Sequence, residues 1–255
     1  MWKVYKYTLL DLLRNRFAMG YAAMLLAVST GLFLLEADNT KALITLAQVL
    51  LALAPLLTLV FTIIWYYNQY EFTVLLAVQP LHRGAIVRAQ SMAVGTALLL
   101  AFLFGVGLPV AAWAPGAVGW TLLLSGLSLT AVFTALGTLV AVRNRDRAKA
   151  VGIGLITWVV LVLVYDAFLL WLMFTFSDRP IEPIVVPLAA LNPIDLARML
   201  VMLKVDLAAL LGYTGAVYER FFGSTGGMLA AFAAMVLWTL LPAMAAVRRF
   251  VRKDL

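Results

Sequence analysis

The sequence predicts an all-α membrane protein that crosses the bilayer several times. Of its 255 residues, 65% are hydrophobic and only 12% are charged, about half the charged share of soluble domains. Mean hydropathy is +1.02. Several apolar runs reach the roughly 20 residues that a helix needs to cross a bilayer. A soluble fold could not bury so many helices that are apolar all round.

Six apolar runs are predicted as transmembrane helices. They cover residues 17–35, 42–67, 91–113, 117–142, 151–176 and 227–247. The links at 36–41 and 114–116 are short, so each joins two antiparallel helices into a hairpin. Residues 1–255 are therefore predicted to form a single transmembrane domain.

Basic residues are concentrated on one side of this arrangement. Fourteen of the 19 Lys and Arg residues fall in the first 16 residues, in the links 68–90 and 143–150, or after residue 247. The positive-inside rule places these regions, and with them both termini, in the cytoplasm. The net charge of +7 thus reflects topology, and no nucleic-acid partner is predicted. The predicted location is the inner (plasma) membrane, with multiple passes.

Residues 1–14 are predicted to form an interfacial helix on the inner leaflet. Apolar and basic side chains recur at helical spacing on different faces, Trp2, Tyr5, Leu9, Leu12 and Leu13 against Lys3, Lys6 and Arg14. Such a pattern is typical of a helix lying in the membrane surface. The alternative is a basic flank that only sets the topology.

The cytoplasmic link contains the stretch YEFTVLLAVQPLHRGAIVRAQ, residues 70–90. It predicts a short helix with Glu71 near its positive end and an apolar stripe of Phe72, Leu75 and Leu76. Pro80 ends this helix because proline lacks an N–H and restricts the preceding residue. Two interpretations remain open: the helix docks on another protein, or it folds onto the lipid surface.

The order Glu71, Leu75-Leu76, Gln79-Pro80, Arg83 and Ile86 resembles the loop after the second span of ABC-2 type permeases. The resemblance implies that Glu71, Leu75, Leu76, Pro80 and Arg83 couple the chain to an ATPase. It also implies a homodimer of permease copies with two cytoplasmic ATPase subunits. Those subunits would bind ATP and Mg, so that this chain would need no cofactor and would not itself be an enzyme.

A second match lies in the last third of the chain. Asp166 in the fifth span and the segment LNPIDLARML (191–200) in the long 177–226 loop resemble the NosY type of permease subunit, which serves nitrous oxide reductase maturation. The resemblance implies a periplasmic solenoid-type partner on this loop, with Asn192, Pro193, Asp195 and Arg198 as docking candidates. It also implies a role in copper-site maturation. The alternative is a generic exporter of lipid, peptide or drug.

Asp166 is the one ionisable residue predicted inside a span. A carboxylate at membrane depth is costly, so it should face the bundle interior, a cavity or a partner. It is either a pathway or gating residue at a subunit interface, or a structural hydrogen-bond acceptor. In the latter case it bonds to a neighbouring helix or lies near the outer headgroups.

The 177–226 loop is predicted to contain one or two amphipathic helices on the outer surface. Asn192 is a suitable N-cap, Pro193 suits the first turn, and Asp195 suits the positive helix end. Leu196, Met199, Leu200 and Leu203 give its apolar stripe. Such helices either receive a partner or form a simple lid.

Patterns for catalysis and metal binding are missing from the sequence. There is no P-loop pattern, no H-E-x-x-H, no cysteine and only one histidine, so no metal site in this chain is predicted. An intramembrane enzyme or assembly factor that works without an ATPase is a further alternative, but it would need paired polar residues within the spans. Gly105 and Gly107 are predicted to serve helix packing, and Ser125 and Ser128 to bond between helices.

Overall fold

The computed structural model describes residues 2–79, 82–176, 182–204 and 225–252. Within these ranges the chain forms ten helices and no strand, with the following bounds: α1 Trp2–Leu13, α2 Arg16–Leu35, α3 Asn39–Asn68, α4 Tyr70–Val78, α5 Arg83–Trp113, α6 Ala117–Arg143, α7 Arg147–Thr175, α8 Glu182–Ala190, α9 Pro193–Lys204 and α10 Thr225–Val251. Two of them contain a single π-helical turn, Leu103–Gly107 in α5 and Val160–Val164 in α7.

Six of the helices in the described part of the chain are long and apolar enough to cross a membrane: α2, α3, α5, α6, α7 and α10. The predicted all-α, polytopic fold class is confirmed. One boundary differs, since α5 begins at Arg83 rather than at residue 91. The Arg88 Nε–H donates to Gly84 O at 3.2 Å, so the basic residues that predicted a loop occupy the first turns of the helix.

Helix α6 is the central element of the bundle. Its most apolar window is 61% buried, whereas the corresponding window of α7 is only 11% buried. Small residues allow its neighbours to approach closely: Gly126 packs against the Phe102 ring, and a Cβ added at Gly137 would lie 3.0 Å from Leu59 O. Helix α7 therefore presents a much larger uncovered apolar face than α6 does.

The N-terminal helix α1 packs along α5. Thr8 and Leu12 are buried on this side, and the Tyr5 hydroxyl donates to Thr96 Oγ1 at 3.2 Å. Trp2 and Tyr7 point outward and are exposed. The predicted helix thus forms with two distinct faces, and its position on the inner leaflet remains a prediction.

The two predictions about small residues in the spans have different outcomes. A Cβ added at Gly105 would lie 2.6 Å from Leu25 Cβ and 2.9 Å from Ala22 O, so Gly105 confirms the packing role. The Ser128 hydroxyl donates to Leu124 O of its own helix at 2.8 Å, and the buried Ser125 hydroxyl has no hydrogen-bond partner within the described ranges. The prediction that these serines bond between helices is therefore wrong in this structure.

The loop after the fifth span contains two helices in its described part, α8 and α9. Helix α9 packs against α3, α6 and α10, with Ile194, Leu196, Ala197 and Leu200 buried. It is thus built into the bundle, in contrast to the predicted position on the outer surface. The reason is that apolar residues occupy most of its circumference. The Leu203 side chain and residues 205–224 lie outside what the structure describes.

Candidate functional site

One arginine connects the two acidic residues that the sequence analysis selected from different segments. Arg198 Nη1 donates to Asp166 Oδ2 at 2.7 Å and to Asp195 Oδ1 at 3.1 Å. Asp166 belongs to α7, whereas Asp195 and Arg198 lie one turn apart on α9. We call Asp166, Asn192, Asp195 and Arg198 the α7–α9 network.

Asn192 completes this network through both ends of its amide. Its Oδ1 accepts from the backbone N–H of Ile194 at 3.1 Å, which confirms the predicted N-cap. Its Nδ2 donates to Leu161 O at 2.7 Å and to Asp195 Oδ2 at 2.9 Å. Leu161 belongs to the π-helical turn of α7, a departure from the regular ladder that is frequent at functional sites.

The depth of the network follows from the length of α7. Asp166 lies nineteen residues after Arg147, or about 29 Å along the helix axis, close to the full thickness of the hydrocarbon core. It therefore lies near one end of the span. The observed bond to Arg198 corresponds to the structural interpretation of Asp166, and a gating role stays a prediction.

Asp195 has an unusual electrostatic environment. Its side chain is only 5% exposed, and this burial is the largest cause that raises its pKa, to about 7. The hydrogen bond and charge of Asp166 raise the pKa further, while Arg198 and Asn192 lower it. This environment therefore favours the protonated form of Asp195 over the ionised form.

The residues predicted to dock a periplasmic partner lie mostly inside the chain. Asn192, Pro193 and Asp195 are buried, and the Arg198 side chain is 34% exposed. Three of the four thus have no outer surface in this chain that a partner could contact. Docking on the rest of the 177–226 loop remains a prediction.

The second candidate site is α4, between the second and third spans. Glu71, Phe72, Leu75 and Val78 are exposed, with Leu75 67% and Val78 83% accessible. Leu76 is buried instead, so the predicted single stripe of Phe72, Leu75 and Leu76 is wrong. At 100° per residue, positions 73 and 76 face inward and position 75 faces outward.

Two further residues of the predicted coupling set complete this picture. Arg83 is exposed at the first position of α5, on the chain segment that follows α4. Pro80 lies outside the described residues.

Helix α4 is attached to α5 by a buried polar pair that the sequence analysis missed. Gln90 Nε2 donates to Thr73 Oγ1 at 2.9 Å, and the Thr73 hydroxyl donates to Gln69 O at 2.9 Å. Gln90 and Thr73 are 3% and 1% exposed. The sequence did offer one signal for this pair, since Gln90 is an amide residue directly before the predicted third span.

Fold and site together define a class, a multi-pass α-helical membrane protein with a short, partly exposed helix between its second and third spans. No family model matches the chain. It is similar to the probable ABC transporter permease protein NosY of Stutzerimonas stutzeri, with 28% identity over 78% of this chain and 80% of that protein. It is also similar to the protein of the same name from Pseudomonas aeruginosa, with 28% identity over 82% and 84%. The chain thus resembles NosY-type permeases, as its sequence motifs predict.

Proposed function

We propose that this chain is the permease subunit of an ABC transporter and that α4 couples it to a cytoplasmic ATPase, which binds the ATP and Mg. The observation that carries the proposal is the exposed side of α4, where Phe72, Leu75 and Val78 lie beside Glu71. Exposed apolar residues in a cluster indicate an interaction surface. The similarity to two permeases supports an ATPase as the partner.

The attachment of α4 to the spans suits a coupling role. The backbone N–H of Gln69 donates to Trp65 O at 3.0 Å, and that of Thr73 donates to Gln69 O at 2.9 Å, so α4 continues from α3 almost without a break. The Gln90–Thr73 pair adds a second attachment, to α5. A displacement of α4 by the ATPase would therefore reach two spans.

Two substitutions on α4 test this coupling. Glu71→Ala and Leu75→Ala are expected to weaken ATPase binding and its turnover, because both side chains face outward and neither supports the fold. Matched controls are Glu36→Ala, directly after the last residue of α2, and Leu10→Ala on α1. Both residues are exposed. Unchanged ATPase binding and turnover in the α4 variants would count heavily against the proposal.

The orientation of the chain has its own test. Both termini and α4 are proposed to be cytoplasmic, since the basic residues cluster there. The natural sequence has no cysteine, so a single cysteine at Val78 or at Lys41 reports accessibility without background. A membrane-impermeant thiol reagent applied to intact cells should label Lys41→Cys and not Val78→Cys. The reverse pattern would invert the topology.

We also propose that two copies associate through α7. Its apolar face is largely uncovered, and the Asp166–Arg198 ion pair is 29% and 34% exposed. A partly uncovered ion pair at the end of a span still borders the hydrocarbon, which is costly, and a second copy would cover it. Leu163→Cys should form a disulfide-linked dimer in membranes, whereas the exposed Met92→Cys on α5 should not. Equal cross-linking at both positions would contradict the α7 interface.

The proposed biological role is nitrous oxide reductase copper-site maturation with a periplasmic solenoid-type partner, and its support is the similarity to two NosY proteins. The test is to extract the tagged chain gently from its native membrane and identify what co-purifies. An ATPase with a periplasmic solenoid protein supports this role. An ATPase alone supports a generic exporter of lipid, peptide or drug.

A further inference from the structure

A groove with a volume of about 270 Å³ opens between α5, α6 and α10. Four small residues line it, Gly95, Ala131, Ala135 and Ala243, with Met92 and Leu99 along the α5 side. A Cβ added at Gly95 would meet only Thr134 Cγ2, at 3.7 Å. The groove therefore exists because three helices carry side chains too small to fill the space between them.

Three threonines of the groove present hydrocarbon to it. The hydroxyls of Thr134, Thr138 and Thr239 donate to carbonyls of their own helices, at 2.7, 2.9 and 3.0 Å. Such back-bonding satisfies the hydroxyl and leaves the methyl group available for contact. Water gains few hydrogen bonds in a space of this kind, so an apolar chain is the better occupant.

The length of the groove matches one leaflet of a bilayer. It extends along α5 from Arg88 to Leu99, or about 16 Å at 1.5 Å per residue. This is close to half of the ~30 Å hydrocarbon core. The groove thus begins near one membrane surface and ends near the midplane, as the acyl chain of a single lipid does.

Positive charge lies at one end of the groove. Arg88 is exposed, and its Nε–H donates to Gly84 O. Its guanidinium forms no ion pair with a carboxylate in the described part of the chain. Arg248 and Arg249 follow directly on Val247, which lines the same end. This is the end that the positive-inside rule places in the cytoplasm.

We propose that the groove binds an anionic glycerophospholipid of the inner leaflet, with one acyl chain along the small residues and the phosphate on Arg88. The apolar walls select a lipid, and the unpaired guanidinium selects a negative headgroup. This proposal rests on the membrane orientation given under the proposed function. It requires neither the ATPase nor the α7 interface. A lipid here would contact both α5, which holds α4, and α10.

The experiment is native mass spectrometry of the full-length chain, with whatever co-purifies, titrated with phosphatidylglycerol or with phosphatidylcholine. Arg88→Gln removes the charge, and Arg145→Gln is its control on the same side of the membrane. Gly95→Leu fills the groove, and Gly31→Leu is its control, since a Cβ at Gly31 meets nothing within 4 Å.

The expected result is one retained phosphatidylglycerol per chain, bound more tightly than phosphatidylcholine. Arg88→Gln should weaken phosphatidylglycerol binding about fivefold, which is the contribution of one basic residue to the binding of an anionic lipid. It should also remove the preference for phosphatidylglycerol over phosphatidylcholine. Gly95→Leu should abolish retention of both, and neither control should change it. Equal binding of the two lipids by the natural chain, or retention unchanged in Gly95→Leu, would overturn the proposal.

Discussion

Arg198 Nη1 lies 2.7 Å from Asp166 Oδ2 and 3.1 Å from Asp195 Oδ1. A single guanidinium thus joins the fifth span to α9, although Asp166 and Arg198 are 32 positions apart in the chain. The Asn192 amide reaches the same span at Leu161 O. Helix α9 is thus attached to α7 at two points five residues apart, or about 7 Å along the axis of α7. If α7 forms the contact between two copies, these attachments transmit its movements to α9.

Loss of Arg198 should destabilise the chain, because the carboxylates of Asp166 and Asp195 would lose their positively charged partner. Arg198→Ala is expected to lower the free energy of unfolding by about 2 kcal/mol, below the value for a fully buried pair because the site is partly exposed. Thermal unfolding in detergent measures the effect. The exposed Arg145→Ala should change stability by less than about 0.5 kcal/mol. Equal effects of both variants would show that the ion pairs contribute nothing.

The raised pKa of Asp195 makes stability depend on pH. The folded value is about 7 against an ordinary 3.8, so between these values the folded protein binds more protons than the unfolded chain. Stability from this group is complete below about pH 4 and is lost as the pH rises through 7.

This pH dependence can be isolated by substitution. The unfolding temperature of the natural chain, relative to that of Asp195→Asn, should fall between pH 4 and pH 7 and stay level above pH 8. The total change is on the order of 4 kcal/mol. The exposed Glu36→Gln serves as control, and a constant difference between the natural chain and Asp195→Asn would contradict the assignment.

Asn192 should matter more than an ordinary helix cap. Asn15 caps α2 by accepting from Phe17 N–H at 2.8 Å, and Asn15→Ala should cost about 1 kcal/mol. Asn192→Ala also removes the donor to Leu161 O and one of the two donors to the Asp195 carboxylate, and it should cost about 2–3 kcal/mol. Asn192→Asp retains the cap and loses the donor, so it should not restore stability. Full recovery in Asn192→Asp would show that capping is the whole contribution.

The two glycines of the π-helical turn in α5 should respond oppositely to the same substitution. Gly105→Ala places a Cβ against Leu25 and the backbone of Ala22, at 2.6 and 2.9 Å, whereas a Cβ at Gly107 is no closer than 3.7 Å to any neighbour. Gly105→Ala should therefore cost about 1–3 kcal/mol through overpacking, and Gly107→Ala should be neutral or slightly stabilising. Unfolding midpoints of the two variants, measured side by side, decide this.

The Thr73–Gln90 pair should control the mobility of α4. Thr73→Val preserves shape but leaves the buried Gln90 amide unpaired, which should cost about 1–2 kcal/mol. Hydrogen exchange in residues 70–78 should accelerate, while Thr121→Val on α6 should leave it unchanged. Adding Gln90→Leu removes both partners and should restore part of the protection. Unaltered exchange in Thr73→Val would show that the pair does not hold α4.

Local features of the sequence determined much of this protein. The six spans, the short helix around Glu71 and the Asn192 cap follow from local rules, because burial in lipid and helix-end chemistry act on neighbours in sequence. The sequence also identified Asp166, since charge within a span is costly, and it identified Asp195 and Arg198 through the helix-start pattern and the family resemblance of the loop that follows.

Only the tertiary structure decided which residues meet. Arg198 as partner of Asp166, the burial of α9, the inward turn of Leu76 and the Gln90–Thr73 pair all depend on how separate helices are rotated against one another. A helix that is apolar on most of its circumference suits a membrane surface, lipid or another helix equally well, so its pattern cannot select among them. Close packing at glycines and the saturation of buried hydrogen bonds make that selection.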